Sequence, residues 1–419
     1  MTSSMLEIYQ HHVPTRIVGG DAGLLRNCGP ELEPFRGTMA GLVTDKVILS
    51  LGLLDDLKAS LASAGIELGI TFADVPQDSD VETVTLAAAQ LKAAGCNLLL
   101  AMGGGSVIDT AKAANILLTH GGDLLDYQGA EVLTEPLLPL VVIPTTVGTG
   151  SEVTSVAVIA DRADHRKLTL VDHRLAPTVA LLDPAVTRSL PPRLIAMTAM
   201  DALTHALEAY IDVAHNPFSD AWAVAAAATI RTSLLDALGD PELDVTQAAR
   251  ARLQQASTMA GIAFEHSMVG VVHAIAHALG GVAGVPHGLA NALMLVEGLQ
   301  CNAEVAPDRI RDIGKLSGFA QDRGANDREA AAGSPAHGAG AADDADDVTA
   351  SAATIRAIAA FRKEVLETAG LPLTLSAAGV TEDQIPRIVE RASEDGSMIY
   401  NPKYVEPEEL TQMIRSVFI

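Results

Sequence analysis

NLLLAMGGGSVIDTAK, residues 97–112, is the stretch whose reading decides the fold. Residues 97–102 form an apolar run too short for a buried helix and long enough for a strand covered on both faces. Gly103, Gly104 and Gly105 stop the run. A helical pattern follows over 107–118, and Ser106 with Asp109 three residues on has the form of a capping box that would start that helix. Strand, glycine turn and helix in that order make one unit of a parallel α/β sheet.

The same alternation continues on both sides. Residues 41–45 (GLVTD) read as a strand, 53–64 as a helix, 68–75 as a strand and 81–94 as a helix. The run LPLVVI, 138–143, is another buried strand, and its internal Pro139 moves the start to Leu140. Near Leu182-Asp183-Pro184 the pattern changes, and beyond Pro191-Pro192 the chain is Ala-rich with helical periods. The expected organisation is an α/β domain over 1–187 and an all-α helical domain over 188–419. Residues 321–351 hold no large apolar side chain except Val348. Such a stretch cannot bury enough surface to offset its ordering entropy, and a mobile surface insertion is expected there.

Composition excludes several classes. A formal net charge of −24 over 419 residues speaks against nucleic acid or anionic membrane as partner, since both demand basic surface. The three cysteines, Cys28, Cys96 and Cys301, show no metal-type spacing and fit a reducing compartment. The opening MTSSMLEIYQHHVPTR has no basic region followed by an apolar stretch, and no segment approaches the length of a membrane span. A cytoplasmic protein is expected.

Two polar loops follow strands. Glycines after the 97–102 strand let a ligand approach the backbone, and the helix start offers free N–H groups to an anion. The spacing is not GxGxxG, and a glycine cluster there is equally an ordinary tight turn. The second loop, Pro144-Thr-Thr-Val-Gly-Thr-Gly-Ser-Glu152, is rich in hydroxyls and small residues. Open α/β sheets bind ligands at this edge, so the two loops together favour a dinucleotide site. Asp45 ends the first strand, where a carboxylate can bond ribose hydroxyls and repel a 2′-phosphate, favouring NAD over NADP. It is as readily a cap on the next turn.

Histidines carry the rest. Asp201 and His205 are one helical turn apart, with Thr204 and Glu208 on the same stripe. Alone, that stripe reads as the solvated face of an amphipathic helix. In GVVHAIAHALGG, 270–281, everything is apolar except His273 and His277, so the helix is buried and its histidines need partners. The run continues to Val285-Pro286-His287-Gly288 and lacks the glutamate of HExxH. One aspartate and three histidines suit Fe(II), Zn(II) or a related divalent ion, which can polarise an oxygen.

GGGSVIDTAK (103–112), IPTTVGTGSE (143–152), DALTHALEAY (201–210) and HAIAHALGGVAGVPHG (273–288) resemble, in order and separation, the signature segments of the iron-containing (group III) alcohol dehydrogenases. SEDGSMIYNPKYV (393–405) is also of their kind. The resemblance implies a Rossmann-like N-terminal domain, a helical C-terminal domain of dehydroquinate synthase-like architecture, and a site in the cleft between them. It implies metal ligands at Asp201, His205, His273 and His287, with His277 as the catalytic residue near nicotinamide and substrate. It implies cofactor contacts from Asp45, Gly103, Gly104, Gly105, Ser106, Asp109, Thr145, Thr146, Thr149 and Lys167. The activity implied is hydride transfer between NAD(H) and a small alcohol, aldehyde or ketone, with Fe(II) or Zn(II). A homodimer or higher homo-oligomer is expected. The chain departs from the family pattern at Pro76-Gln77-Asp78, where Pro-Asn-Pro is usual, and at Glu265-His266. Two rivals stand beside this reading. One is a sugar-phosphate cyclase, which needs several Lys and Arg for the substrate phosphate; the other is a non-catalytic scaffold.

Overall fold

The computed structural model describes residues 9–20, 23–162, 166–320 and 339–419. The first part of the chain runs β1 (Arg16–Gly19), α1 (Leu24–Asn27), α2 (Gly29–Leu32), β2 (Met39–Val43), α3 (Lys46–Ser50), α4 (Leu54–Ala64), β3 (Glu67–Phe72), α5 (Val81–Ala93), β4 (Leu98–Gly103) and α6 (Gly105–Thr119). It continues through β5 (Gly129–Ala130), β6 (Leu140–Pro144), β7 (Val156–Asp161), β8 (Arg166–Val171) and β9 (Val179–Leu182). Six strands form a parallel sheet in the order β1-β9-β6-β4-β2-β3, and β5, β8 and β7 make a small second sheet. The order reverses at β2, which has β3 on one side and β4 on the other. That is the switch point where ligands bind outside the carboxyl ends of strands.

The apolar run of β4 is buried at every position, as its sequence demands. Leu98, Leu100 and Met102 enter the core under α4, with Leu57 and Leu61; Leu99 and Ala101 enter the opposite core with Val107 and Ile108 of α6. Alternate residues of one strand thus supply both layers.

From Pro192 the architecture is helical: α7 (Pro192–Ile211), α8 (Pro217–Ala237), α9 (Asp244–Ser267), α10 (Val271–Ala283), α11 (His287–Asn302), α12 (Pro307–Leu316), α13 (Ala339–Thr368), α14 (Ile385–Ser393) and α15 (Pro407–Ser416). They share one apolar core built largely from Ala, Leu, Ile and Val.

Two expectations are corrected here. Helix α6 begins at Gly105, with Gly104 as N-cap and no side-chain capping bond, so Ser106 lies inside the first turn and no capping box forms. Ser106 Oγ instead accepts from Asp78 N at 3.2 Å. The stretch expected to be an insertion is partly helix: residues 321–338 lie outside the described residues, but α13 begins at Ala339. Ser351 in it is buried and Asp347 pairs with Arg311 of α12. Alanine favours helix strongly, and α13 is anchored farther along by Ile355, Ile358, Val365 and Leu366 in the helical core, so its alanine-rich start continues a helix held by large apolar side chains.

Met268 closes α9 at φ 66°, ψ −162°, a region open essentially to glycine. Met268→Gly is expected to raise stability by about 1 kcal/mol, since relief of about 1–3 kcal/mol of strain exceeds the added entropy of the unfolded chain. Equilibrium denaturation checks this, and a loss of stability would show that the Met268 side chain matters more than its backbone.

Candidate active site

The polar stripe of α7 is not solvated. Asp201, Thr204, His205 and Glu208 are all buried. They face α9, α10 and α11, and there the donors of Asp201, His205, His273 and His287 converge, every ligand atom within 4.8 Å of the others. Asp201 Oδ1 lies 3.9 Å from His205 Nε2, 3.7 Å from His273 Nε2 and 3.4 Å from His287 Nε2. His273 stands at the start of α10, and His287 is the first residue of α11.

Electrostatics suit a cation. Burial works against the charge on Asp201, but the imidazoles of His205, His287 and His273 outweigh it and hold its carboxyl well below the usual range. Burial pushes His205 down to about 3 against the pull of Asp201, which keeps its ring neutral. Burial also opposes charge on His273, but the carboxylates of Asp201 and Glu208 beside it raise it to about 9. Glu208 was legible only as part of the stripe. It takes His273 Nδ1 at 2.5 Å and Val272 N at 2.7 Å, which turns Nε2 toward the other donors.

His277, one turn beyond His273, is not in this set. Its ring stacks on His287 at 5.3 Å, and its Nδ1 meets Asp395 Oδ2 at 2.9 Å. The side chain is 37% exposed, so Nε2 can reach a bound molecule. Asp395, beyond α14, had no sequence signal linking it to His277.

The two polar loops meet. A Cβ on Gly104 would sit 3.0 Å from Thr146 Cγ2, and one on Gly105 3.0 Å from Thr149 Cγ2. Thr145 is buried, its N–H bonded to Gly103 O at 3.0 Å. The 145–152 loop also rests on the helical part: Gln254 Nε2 donates to Pro144 O at 3.0 Å and Thr258 Oγ1 to Glu152 Oε1 at 2.6 Å. Phe264, beside Gly150, stacks on His205 at 4.3 Å. The loop edge and the histidine cluster are therefore one site.

The other expected cofactor residues have local partners. Asp45 caps α3, its Oδ1 taking Ile48 N at 2.9 Å. Asp109 turns toward β7, where Oδ2 takes Val158 N at 3.0 Å. Lys167 pairs with Asp78 at 2.8 Å. Glu265 accepts from Ser155, and His266 bonds the backbone of His12 and Ile262, so both departures are satisfied groups. Lys112, missed in the sequence, is buried and donates to Thr154 O at 2.6 Å and Val156 O at 2.8 Å.

The sequence profile described as "Iron-containing alcohol dehydrogenase" matches residues 14–184, and that described as "Fe-containing alcohol dehydrogenase family, C-terminal" matches residues 195–418. This chain belongs to the iron-containing alcohol dehydrogenase family. An alcohol dehydrogenase of this family is an oxidoreductase, and the non-catalytic reading falls. The chain is 32% identical to the NAD-dependent methanol dehydrogenase of Bacillus methanolicus over 96% of itself and 98% of that protein. It is 34% identical to the 1,3-propanediol dehydrogenase of Klebsiella pneumoniae, covering 93% and 94% of the two chains. The crystal structure of a 1,3-propanediol oxidoreductase superposes with TM-score 0.86 at 33% identity, over 98% of this alcohol dehydrogenase and all of that chain. Among the described residues, no single helix is long and apolar enough to cross a membrane.

Proposed function

We propose that this alcohol dehydrogenase interconverts a small alcohol with its aldehyde or ketone, using NAD and one divalent ion, Fe(II) or Zn(II), held by Asp201, His205, His273 and His287. The observation that carries this is the convergence of those four donors within 4.8 Å, with Asp201, His205 and His273 buried and His287 exposed at the edge of the cluster. The residues fit such an ion: a buried carboxylate ringed by three imidazole nitrogens is a donor set of the kind that binds Fe(II) or Zn(II). When bound, NAD supplies the hydride acceptor or donor and the ion polarises the substrate oxygen.

The chain's own groups do the rest. Glu208 fixes the His273 ring, and Phe264 walls the site beside His205. His277, oriented by Asp395, carries the proton between substrate oxygen and solvent through Nε2. Gly103, Gly104, Gly105 and Ser106 present backbone N–H groups to the dinucleotide phosphates, with Thr145, Thr146, Thr149 and Lys167 at the same edge. Asp109 braces α6 against β7 beneath them. Domains 1–187 and 188–419 close over the cleft, and the protein works in the cytoplasm as a homodimer or higher homo-oligomer.

The cyclase reading is disfavoured because Lys112, a cation close to the loops, is buried and committed to backbone carbonyls, out of reach of a phosphate. The deciding test is anaerobic purification with metal analysis, followed by NADH oxidation with short aldehydes. An enzyme free of metal yet active, or turnover surviving exhaustive chelation, would overturn the proposal.

Asp45 tests the cofactor. Its cap uses Oδ1 and leaves Oδ2 for ribose hydroxyls. Asp45→Gly is expected to raise relative use of NADP by about one to two orders of magnitude, because removing a close like charge is worth about 1–3 kcal/mol. Wild-type preference for NADP would remove Asp45 from the ribose.

A further inference from the structure

We infer that Asn291 is a positioning residue of the metal centre, holding the Asp201 carboxylate in its ligating orientation. The inference rests on the metal reading above and extends it to a side chain with no assigned role. Asn291 lies on α11, one turn after His287, and is wholly buried. Its Nδ2 is 2.6 Å from Asp201 Oδ1, 3.1 Å from His273 Nε2 and 3.2 Å from His287 Nε2. Two amide hydrogens cannot serve three acceptors, and the shortest contact belongs to the carboxylate.

The other end of the amide is informative. Oδ1 is buried and has no hydrogen-bond partner among the described residues. An unpaired buried carbonyl is a cost to folding, which alanine or leucine at this position would avoid. The donor end, not fold stability, is therefore the use of this side chain. The aspartate χ2 is a broad torsion that rotamer preference alone leaves loose, so a fixed donor is what sets the carboxylate plane. A neutral amide does this without adding a positive charge that would repel the ion, as lysine or arginine would. A Cβ on Gly288 would meet Met197 O at 2.3 Å, so α11 rides directly on the backbone of α7 close to Asn291 and Asp201.

The test uses full-length protein stripped with chelator and titrated with Co(II), a probe whose visible bands report coordination. Asn291→Ala and Asn291→Leu are expected to weaken Co(II) binding by about 10–100-fold and to shift those bands. The melting temperature of the stripped protein is expected to stay level or rise, because the unpaired oxygen is gone. Unchanged Co(II) affinity and spectrum would overturn the inference. So would affinity lost only in step with melting temperature in both variants, since that is the mark of a packing role. Wild-type protein that binds neither Co(II) nor Zn(II) would instead overturn the metal reading itself, and this inference with it.

Discussion

His273→Ala is expected to strip the divalent ion and to lower turnover by about three orders of magnitude or more, while the protein stays folded. Four donors converge, and His273 is the one fixed from behind by a buried carboxylate. Its loss removes a ligand, so metal affinity falls, and Glu208 keeps Val272 N as a partner. The fold survives because α10 is anchored by Val271, Val272, Ile275, Ala276 and Leu279 in the helical core. His277→Ala is the contrasting variant. Its ring lies outside the four-donor set, and it should keep the ion and lose proton transfer, about 10²–10⁴-fold in turnover. Metal content, circular dichroism and steady-state turnover on both variants decide the matter. If His277→Ala loses the ion while His273→Ala keeps it, the ligand set contains the wrong histidine.

Gly148→Ala is expected to destabilise the protein by about 3 kcal/mol and to abolish tight dinucleotide binding. A Cβ there would stand 2.1 Å from Thr198 O, and a backbone carbonyl inside α7 cannot move aside as a side chain would. Gly261→Ala strikes the same interface from the other side, with its Cβ 2.8 Å from Gly150 Cα. Glycine faces glycine where the 145–152 loop meets α9, so the two parts of the chain touch backbone to backbone. Forcing them apart displaces Thr145, Thr146 and Thr149 from the glycine turn and moves Phe264 off His205. Equilibrium unfolding and NAD titration measure the two effects. A Gly148→Ala protein with wild-type stability and NAD affinity would mean the loop tolerates separation from α7.

Much of this protein is legible in the order of its residues, because the decisive signals are local. The apolar run 97–102, stopped by three glycines, had to be a buried strand ending in an open turn, and Leu140 had to begin the next one after Pro139. Two histidines one turn apart in an otherwise apolar helix had to have partners. The resemblance of four motifs then carried the family. What only the tertiary structure decided is where the polar atoms go. A single helix looks the same whether its stripe meets water or other helices, so Asp201, His205 and Glu208 read as a solvated face until α9, α10 and α11 covered them. Ser106 had the sequence of a cap, but the Thr146 and Thr149 side chains crowd Gly104 and Gly105, and α6 starts two residues earlier with Ser106 facing Asp78. Asp45 was either cap or ribose contact on sequence, and the fold shows that the cap takes one oxygen only. Ala339 onward looked too poor in apolar side chains to order, yet it is helix, because it is the start of a helix whose later residues Ile355, Ile358, Val365 and Leu366 are buried in the helical core. Asp395 orients His277 from 118 residues away. No periodicity or spacing reaches that far, because such a pair is created only when separate helices pack into one core.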